Sequence, residues 1–367
     1  VKTAKTQPDD RAARVALCKV GEPMDPTIAT LVQERGTVGA WRAIATNADG
    51  AYDRFAARVS DLDLARVLHA ADRLGIRVLV PGDPGWPRGL DDLELAPLCL
   101  WVRGCVDLAA VLARSVSVVG ARLATAYGES VAGEIAHDLA VRRFAVVSGG
   151  AYGIDTAAHR GALAGDGVTI AAMAGGVDRL YPAGNHDLLE EIARTGAVVS
   201  ECPPGASPQR HRFLARNRLI AAMTPGTVVV EAGIRSGSLN TARNAERLHR
   251  VVAAVPGPVT STASVGTNEL IRQGIASLVT DAAECAELFG ELGADLAPRV
   301  EGAPAVGDDL PEVPRRVLEA LPVRRSSTVD QLTRSAGLSV GDVLGGLGAL
   351  EMRGLAARSP DGWRRAG

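Results

Sequence analysis

Cysteine, net charge and long apolar runs are all scarce in this 367-residue chain. Five cysteines (Cys18, Cys99, Cys105, Cys202 and Cys285) are scattered without any C-x-x-C pair. That spacing argues against zinc and against a disulfide framework, and it suits a reducing compartment. A formal net charge of −2 rules out a global polycation, so any anion-binding surface must come from local clustering. No apolar run reaches the ~18 residues needed to cross a bilayer. The opening "VKTAKTQPDDRAAR" has no apolar signal core. A cytoplasmic protein is expected, with no membrane contact, no metal site and no cofactor. The phosphate loop G-x-x-x-x-G-K-[ST] is absent, which excludes the usual ATP-driven motor.

What is present divides into zones. Residues 1–75 read as short helices, as in "DPTIATLVQERG" and "LDLARVLHAADRLG", where apolar positions recur at three- and four-residue spacing. A Pro-, Gly- and Trp-rich lead-in follows, with an edge strand near Ile76–Val80. From Ser115, strands that are apolar throughout ("SVSVVG", "FAVVSGG", "VTIAAMAGG", "AVVSE", "GTVVVEAG", "VVAAVPG") alternate with amphipathic helices. That alternation predicts an α/β fold, a Rossmann-like doubly wound parallel sheet over residues 76–292. Its ligand should sit beyond the carboxyl ends of the strands. Residues 293–310, rich in Gly, Ala, Pro and acids, read as a linker. Residues 311–367 give three helices and a hairpin turning at Pro360–Gly362, a winged-helix pattern with nine arginines against six acids.

The loops after the strands carry the candidate chemistry. After the first, Gly120 turns the chain and Arg122 points toward the strand ends, which suits a phosphate oxygen; a surface loop arginine would look the same. The dinucleotide pattern G-x-G-x-x-G is missing, and Ser148 stands where a ribose-binding acid would be expected. Gly149, Gly150 and Gly153 allow close approach of a ligand, or only tight helix–sheet packing. Asp155 reads as capping or loop bracing, Asp178 as structural, and Asn185 as a helix cap. Ser236, Gly237, Ser238 and Thr241 start another helix and offer a second anion cradle.

Between the fourth and fifth strands of this series lies "RHRFLARNRLIAA", and nothing acidic occurs between Glu201 and Glu231. Arg210 and Arg212 precede Phe213; Arg216 and Arg218 follow. On a helix Phe213, Arg216 and Asn217 share a face. Arginines beside an exposed aromatic form a single-strand recognition pattern. A solvated basic helix with Phe213 buried is the plainer alternative.

These residues resemble the DNA processing protein A family (DprA, also called Smf). The matching signals run in order from about residue 76 to 290: "GAR" (120–122), "SGGAYGID" (148–155), "YPAGN" (181–185), "SECPPG" (200–205), "FLARNRLIAAM" (213–223), "VVVEAGIRSGSLNTARNA" (228–245), "AVPG" (254–257) and "GTNELIRQGI" (266–275). The resemblance implies an extended Rossmann-like fold, single-stranded DNA binding, homodimerisation, and help in loading the RecA recombinase during transformation or recombination, without a catalytic reaction. It implies that the first helices form a small domain like a SAM or helix-hairpin-helix module. Carried onto this chain, Arg122 matches the phosphate-gripping loop, Arg210 and Phe213 the strand pocket, and Arg216 and Arg218 the family's Arg-Asn-Arg motif. Ala121 replaces the family's usual Ser or Thr. Two other readings compete. "TPGTVVVEAG" faintly echoes the P-G-G-x-G-T-x-x-E loop of nucleoside monophosphate phosphoribohydrolases. The winged helix would also fit a DNA-binding regulator.

Overall fold

A computed structural model describes residues 9–298 and 306–366. Four helices come first: α1 (Asp10–Val20), α2 (Pro26–Thr46), α3 (Asp53–Ser60) and α4 (Leu64–Arg73). Asp9, Asp25 and Asp63 cap three of them by accepting backbone N–H bonds. α2 is broken at Gly36, whose φ of 67° lies in the left-handed region. Then come β1 (Ile76–Leu79), β2 (Leu100–Gly104), α5 (Leu108–Leu112), β3 (Ser115–Val119), α6 (Ala126–Val141), β4 (Ala145–Ser148), α7 (Ile154–Ala164) and β5 (Thr169–Ala172). These lead into α8 (His186–Thr195), β6 (Ala197–Ser200), α9 (Arg210–Met223), β7 (Gly226–Val229), α10 (Ser238–Arg247), β8 (Val251–Ala254), α11 (Val265–Arg272), β9 (Ser277–Leu278) and α12 (Ala282–Phe289).

The sheet runs β1-β2-β6-β5-β4-β3-β7-β8-β9. From β6 to β9 all neighbours are parallel, which is the doubly wound arrangement the alternating pattern predicts. β3 to β7 are buried along their whole length, because helices cover both faces. On one face, side chains of α6, α7 and α12 pack with Val116, Val118 and Val146. On the other, α9, α10 and α11 pack with Val119, Val147 and Val229. The polar Ser117 is tolerated there because its hydroxyl donates to the Ile220 carbonyl at 2.9 Å.

One part of the sheet departs from expectation. "CLWVRG" belongs to β2, not to an irregular lead-in, and β2 pairs antiparallel with both β1 and β6. The buried Trp101 and Leu100 anchor it. Val15 of α1, Ala71 of α4 and Leu189 of α8 share a core with Trp101, so the first helices lean on this antiparallel edge.

The chain folds as two compact units, Val1–Pro298 and Arg299–Gly367. Of the expected linker, 293–310, residues 299–305 lie outside the described residues. Its first part is packed: Asp295 takes both Arg114 Nη atoms, at 2.8 and 2.7 Å. The second unit contains α13 (Glu312–Ala320), α14 (Val329–Ala336), α15 (Val340–Met352), β10 (Ala356–Ser359) and β11 (Gly362–Arg365). Thr328 and Gln331 form a reciprocal capping box on α14, and Gly337 ends that helix in the left-handed region. Three helices and an antiparallel hairpin around Val317, Leu332, Val343 and Leu347 are a winged helix. Among the described residues no helix is long and apolar enough to cross a membrane.

Candidate nucleic-acid interface

The strand order reverses direction between β3 and β7, and a crevice is expected just beyond their carboxyl ends. A cavity of about 750 Å³ lies there, lined by the loops after β3, β4 and β7 and by one face of α9. Gly120, Arg122, Arg210, Phe213, Arg216, Asn217, Ser236, Gly237 and Ser238 all line it. Four segments distant in sequence are thus brought together by topology.

The loops hold each other in place. Ala121 N donates to Glu231 O at 2.7 Å, and Ile154 N donates to Ala121 O at 3.2 Å. Gly153 has φ 73°, and a Cβ there would stand 2.4 Å from Ala121 O. A Cβ on Gly120 would meet Ile154, and one on Gly149 would fall 2.1 Å from Arg216 Nη1. These glycines therefore serve loop-to-loop packing. Gly149, Gly153 and Ser148 do not line the cavity; the Ser148 hydroxyl is buried and donates to Val118 O at 2.6 Å.

The four arginines of α9 have four different fates. Arg210 is exposed at the mouth. Arg212 turns away, giving Nε and Nη2 to Glu22 at 2.8 and 2.9 Å and Nη1 to Ser207 O at 2.7 Å. Arg216 is buried, and its Nη1 donates to the Gly149 and Ala172 carbonyls, each at 2.6 Å. Arg218 is buried against Glu201 at 2.5 Å. Arg212 and Arg218 are thus corrected from cavity residues to internal ion pairs, because carboxylates from other segments reach them first. Among the described residues, no carboxylate pairs with Arg122, Arg210 or Arg235, and all three are exposed at the cavity.

Phe213 is half-buried, not a bare platform. The Arg122 guanidinium lies over its ring, 4.6 Å from the centroid, and the Tyr181 ring is tilted 59° at 6.0 Å. Leu123, Leu214 and Ile234 stand exposed around the same opening. Sequence reasoning passed over Arg235 and these apolar residues, although Ile234 and Arg235 sit in the same loop as Ser236.

Buried charge shapes the floor. Burial pushes the Asp155 carboxyl above its ordinary value, against the opposing pull of Arg216 and of backbone donors. Burial lowers the Arg216 guanidinium to about 10; Asp155 counteracts this, and Arg122 adds to it. Asp155 accepts from Ala151 N at 3.3 Å, which is the bracing role expected of it. Asn185 sits at the N-cap position of α8 but its side chain makes no cap bond: its amide donates to Gly150 O and Thr156 Oγ1 at 3.0 and 2.7 Å. Asp178 accepts from Gly205 N, a structural tie. The second cradle has fewer free amides than expected, because Leu239 N and Asn240 N already donate to Ser236 O and Gly237 O. Its hydroxyls, Ser236 and Ser238, lie 2.7 Å apart at the cavity.

The phosphoribohydrolase echo falls at the wrong edge. Gly226 and Thr227 open β7, at the amino end opposite the crevice. Glu231 is buried, with its carboxylate accepting from Thr125 N and Oγ1 at 2.8 and 2.9 Å. It braces the start of α6 and does not line the cavity.

Fold and crevice together define a class: an open, doubly wound α/β protein with a cation-rimmed opening at its topological switch point. The chain belongs to the DNA processing protein A family, DprA/Smf, whose members are DNA recombination mediators. Residues 77–290 match the family described as DNA recombination-mediator protein A, and residues 301–362 match the DprA winged helix domain. It is 46% identical over 375 residues to a Mycobacterium tuberculosis protein assigned as DNA processing protein DprA, covering 96% of this chain and 94% of that one. It is 36% identical over 291 residues to Protein Smf of Escherichia coli, covering 78% and 77%. The X-ray structure of DprA from Streptococcus pneumoniae superposes with a TM-score of 0.67 at 32% identity, over 78% of this chain and all of that one. A Helicobacter pylori DprA structure, described for its single-stranded DNA binding mode, gives 0.52 at 30% identity over 57% of this chain and 93% of that one.

Proposed function

We propose that the crevice beyond β3 and β7 binds single-stranded DNA, and that the protein helps load the RecA recombinase onto that strand. The observation that carries this reading is the set of three exposed arginines, Arg122, Arg210 and Arg235, without a carboxylate partner among the described residues, around an opening that also holds Phe213. The arginines take phosphate oxygens, and a base stacks against the paired Arg122 guanidinium and Phe213 ring. Unpaired bases are needed for that stacking, so single strands are preferred to duplex at this site. Supporting the reading, the Helicobacter pylori relative is described as a single-stranded DNA binder. The protein acts as a non-enzymatic mediator in the cytoplasm, as a homodimer, with residues 76–292 as the binding domain between a helical module (1–75) and the winged helix (311–367).

The test is an oligonucleotide titration at two salt concentrations. Wild type loses affinity steeply with salt, by a slope of about 0.7 per phosphate contacted. Arg122→Ala and Arg210→Ala weaken binding and flatten the slope; Phe213→Ala weakens binding with the slope unchanged. Equal binding by all four proteins overturns the site. The RecA role is tested separately, by whether added protein speeds RecA assembly on strands coated with single-strand-binding protein.

A further inference from the structure

The winged-helix unit separates its charge. In residues 311–320 and 329–354, which hold its three helices, four arginines meet five acids. In residues 321–328 and 355–366, five arginines meet one acid, Asp361. The second group forms one structure. Ser327 and Trp363 exchange backbone hydrogen bonds at 2.9 and 2.8 Å, and Arg365 N donates to Pro322 O at 2.9 Å. The segment carrying Arg324 and Arg325 therefore runs as a third strand-like edge beside β11, which pairs with β10. Arg324, Arg325, Arg358 and Arg364 are exposed there, and no carboxylate pairs with them among the described residues.

α15, the helix that reads the major groove in a typical helix-turn-helix protein, lacks the means to do so here. Its sequence "VGDVLGGLGALEM" contains no arginine, lysine, asparagine, glutamine, serine or threonine. It exposes Val340, Leu344 and Met352 instead. The bidentate donors that distinguish guanine and adenine are thus missing.

We infer that the C-terminal unit binds the phosphate backbone of duplex DNA through its wing, independently of base sequence, while α15 stays out of the groove. Charge selects a polyanion. A duplex is favoured because the wing offers four exposed arginines and a single aromatic, the half-buried Trp363, with the Arg358 guanidinium 5.9 Å from its ring. A duplex also carries twice the phosphate density along its axis. This site is separate from the crevice of the first unit and does not depend on the reading given there.

The test uses the full chain and two unrelated duplexes of equal length, with a single strand as control. Replacing Arg324, Arg325, Arg358 and Arg364 by Gln should cut duplex affinity on the order of tenfold or more. The salt slope should fall by about 0.9 for each arginine that meets a phosphate. Single-strand affinity should hold, and the two duplexes should bind alike. Leu344→Ala should bind duplex as wild type does. Arg364→Gln alone, a milder change at an exposed position, should show a smaller loss in the same direction, which separates a binding effect from misfolding. Unchanged duplex binding by the fourfold variant overturns the inference. So does a preference for one duplex, a loss caused by Leu344→Ala, or binding that is equally lost for the single strand.

Discussion

The two ends of α9 use the same residue for opposite purposes. At its start, Arg210 is exposed at the crevice; by Arg216 and Arg218 the helix has entered the protein. Both guanidinium groups are buried there, Arg216 at the floor of the cavity and Arg218 away from it. Arg216 ties the ends of β4 and β5 to the helix through two carbonyls, and Arg218 neutralises Glu201. An arginine held by carbonyls or carboxylates supplies rigidity, whereas an arginine without a partner supplies attraction for an anion. The motif "RHRFLARNR" therefore combines an exposed cationic edge with the brace that holds it.

The largest effect expected from breaking this contrast is on stability. Arg218→Ala leaves Glu201 buried and unpaired, and should cost about 3–5 kcal/mol in chemical denaturation. Replacing both partners, Arg218→Met with Glu201→Leu, should recover most of that loss, because no orphaned charge remains. Arg210→Ala in the same assay should stay within about 0.5 kcal/mol of wild type. Comparable losses for Arg210 and Arg218 would erase the distinction between the two ends.

Arg216 comes next. Arg216→Ala removes the donor from the Gly149 and Ala172 carbonyls, at about 1–3 kcal/mol for each carbonyl left buried without a partner. It should lower oligonucleotide affinity as well, since Gly149 and the first turns of α9 lose their tie. Arg122→Ala should lower affinity by a similar factor with the unfolding midpoint unchanged, which marks a residue that binds without bracing.

Arg212 provides the finest test. Glu22 takes Arg212 and His211, and Arg58 lies 3.5 Å away. Burial alone would raise the Glu22 pKa, but hydrogen bonds from Arg212 and His211 bring it below the ordinary 4.5. The stabilising pair is therefore complete above that value and is lost as the pH falls through the lowered one. Urea midpoints of wild type and Glu22→Gln should differ at neutral pH and converge in acid. A gap that persists unchanged in acid would show that the charge of Glu22 is not what matters.

Much of this architecture was legible in the residues. Apolar strands alternating with amphipathic helices specify a two-sided parallel sheet, because only burial on both faces accommodates them. The spacing of Phe213, Arg216 and Asn217 puts them on one face, and all three line the cavity. β2 was not legible: "CLWVRG" follows a Pro-rich stretch, and only pairing with the distant β6, through Trp101↔Ser200 and its neighbours, makes it a strand. Nor was the role of Gly149 legible, since the side chain it makes room for belongs to Arg216, 67 residues away.

By itself, then, the sequence determined the order of strands and helices from β3 to β8, the edge of the sheet where a ligand is expected, and the supply of arginine at that edge. Periodicity and turn chemistry are local, and they need no knowledge of what lies across the fold. Only the tertiary structure decided which guanidinium groups remain free, because that depends on carboxylates and carbonyls delivered from elsewhere: Glu22 reaches Arg212 across 190 residues. A charge is neutralised by what is near it in space, and sequence distance does not reveal that.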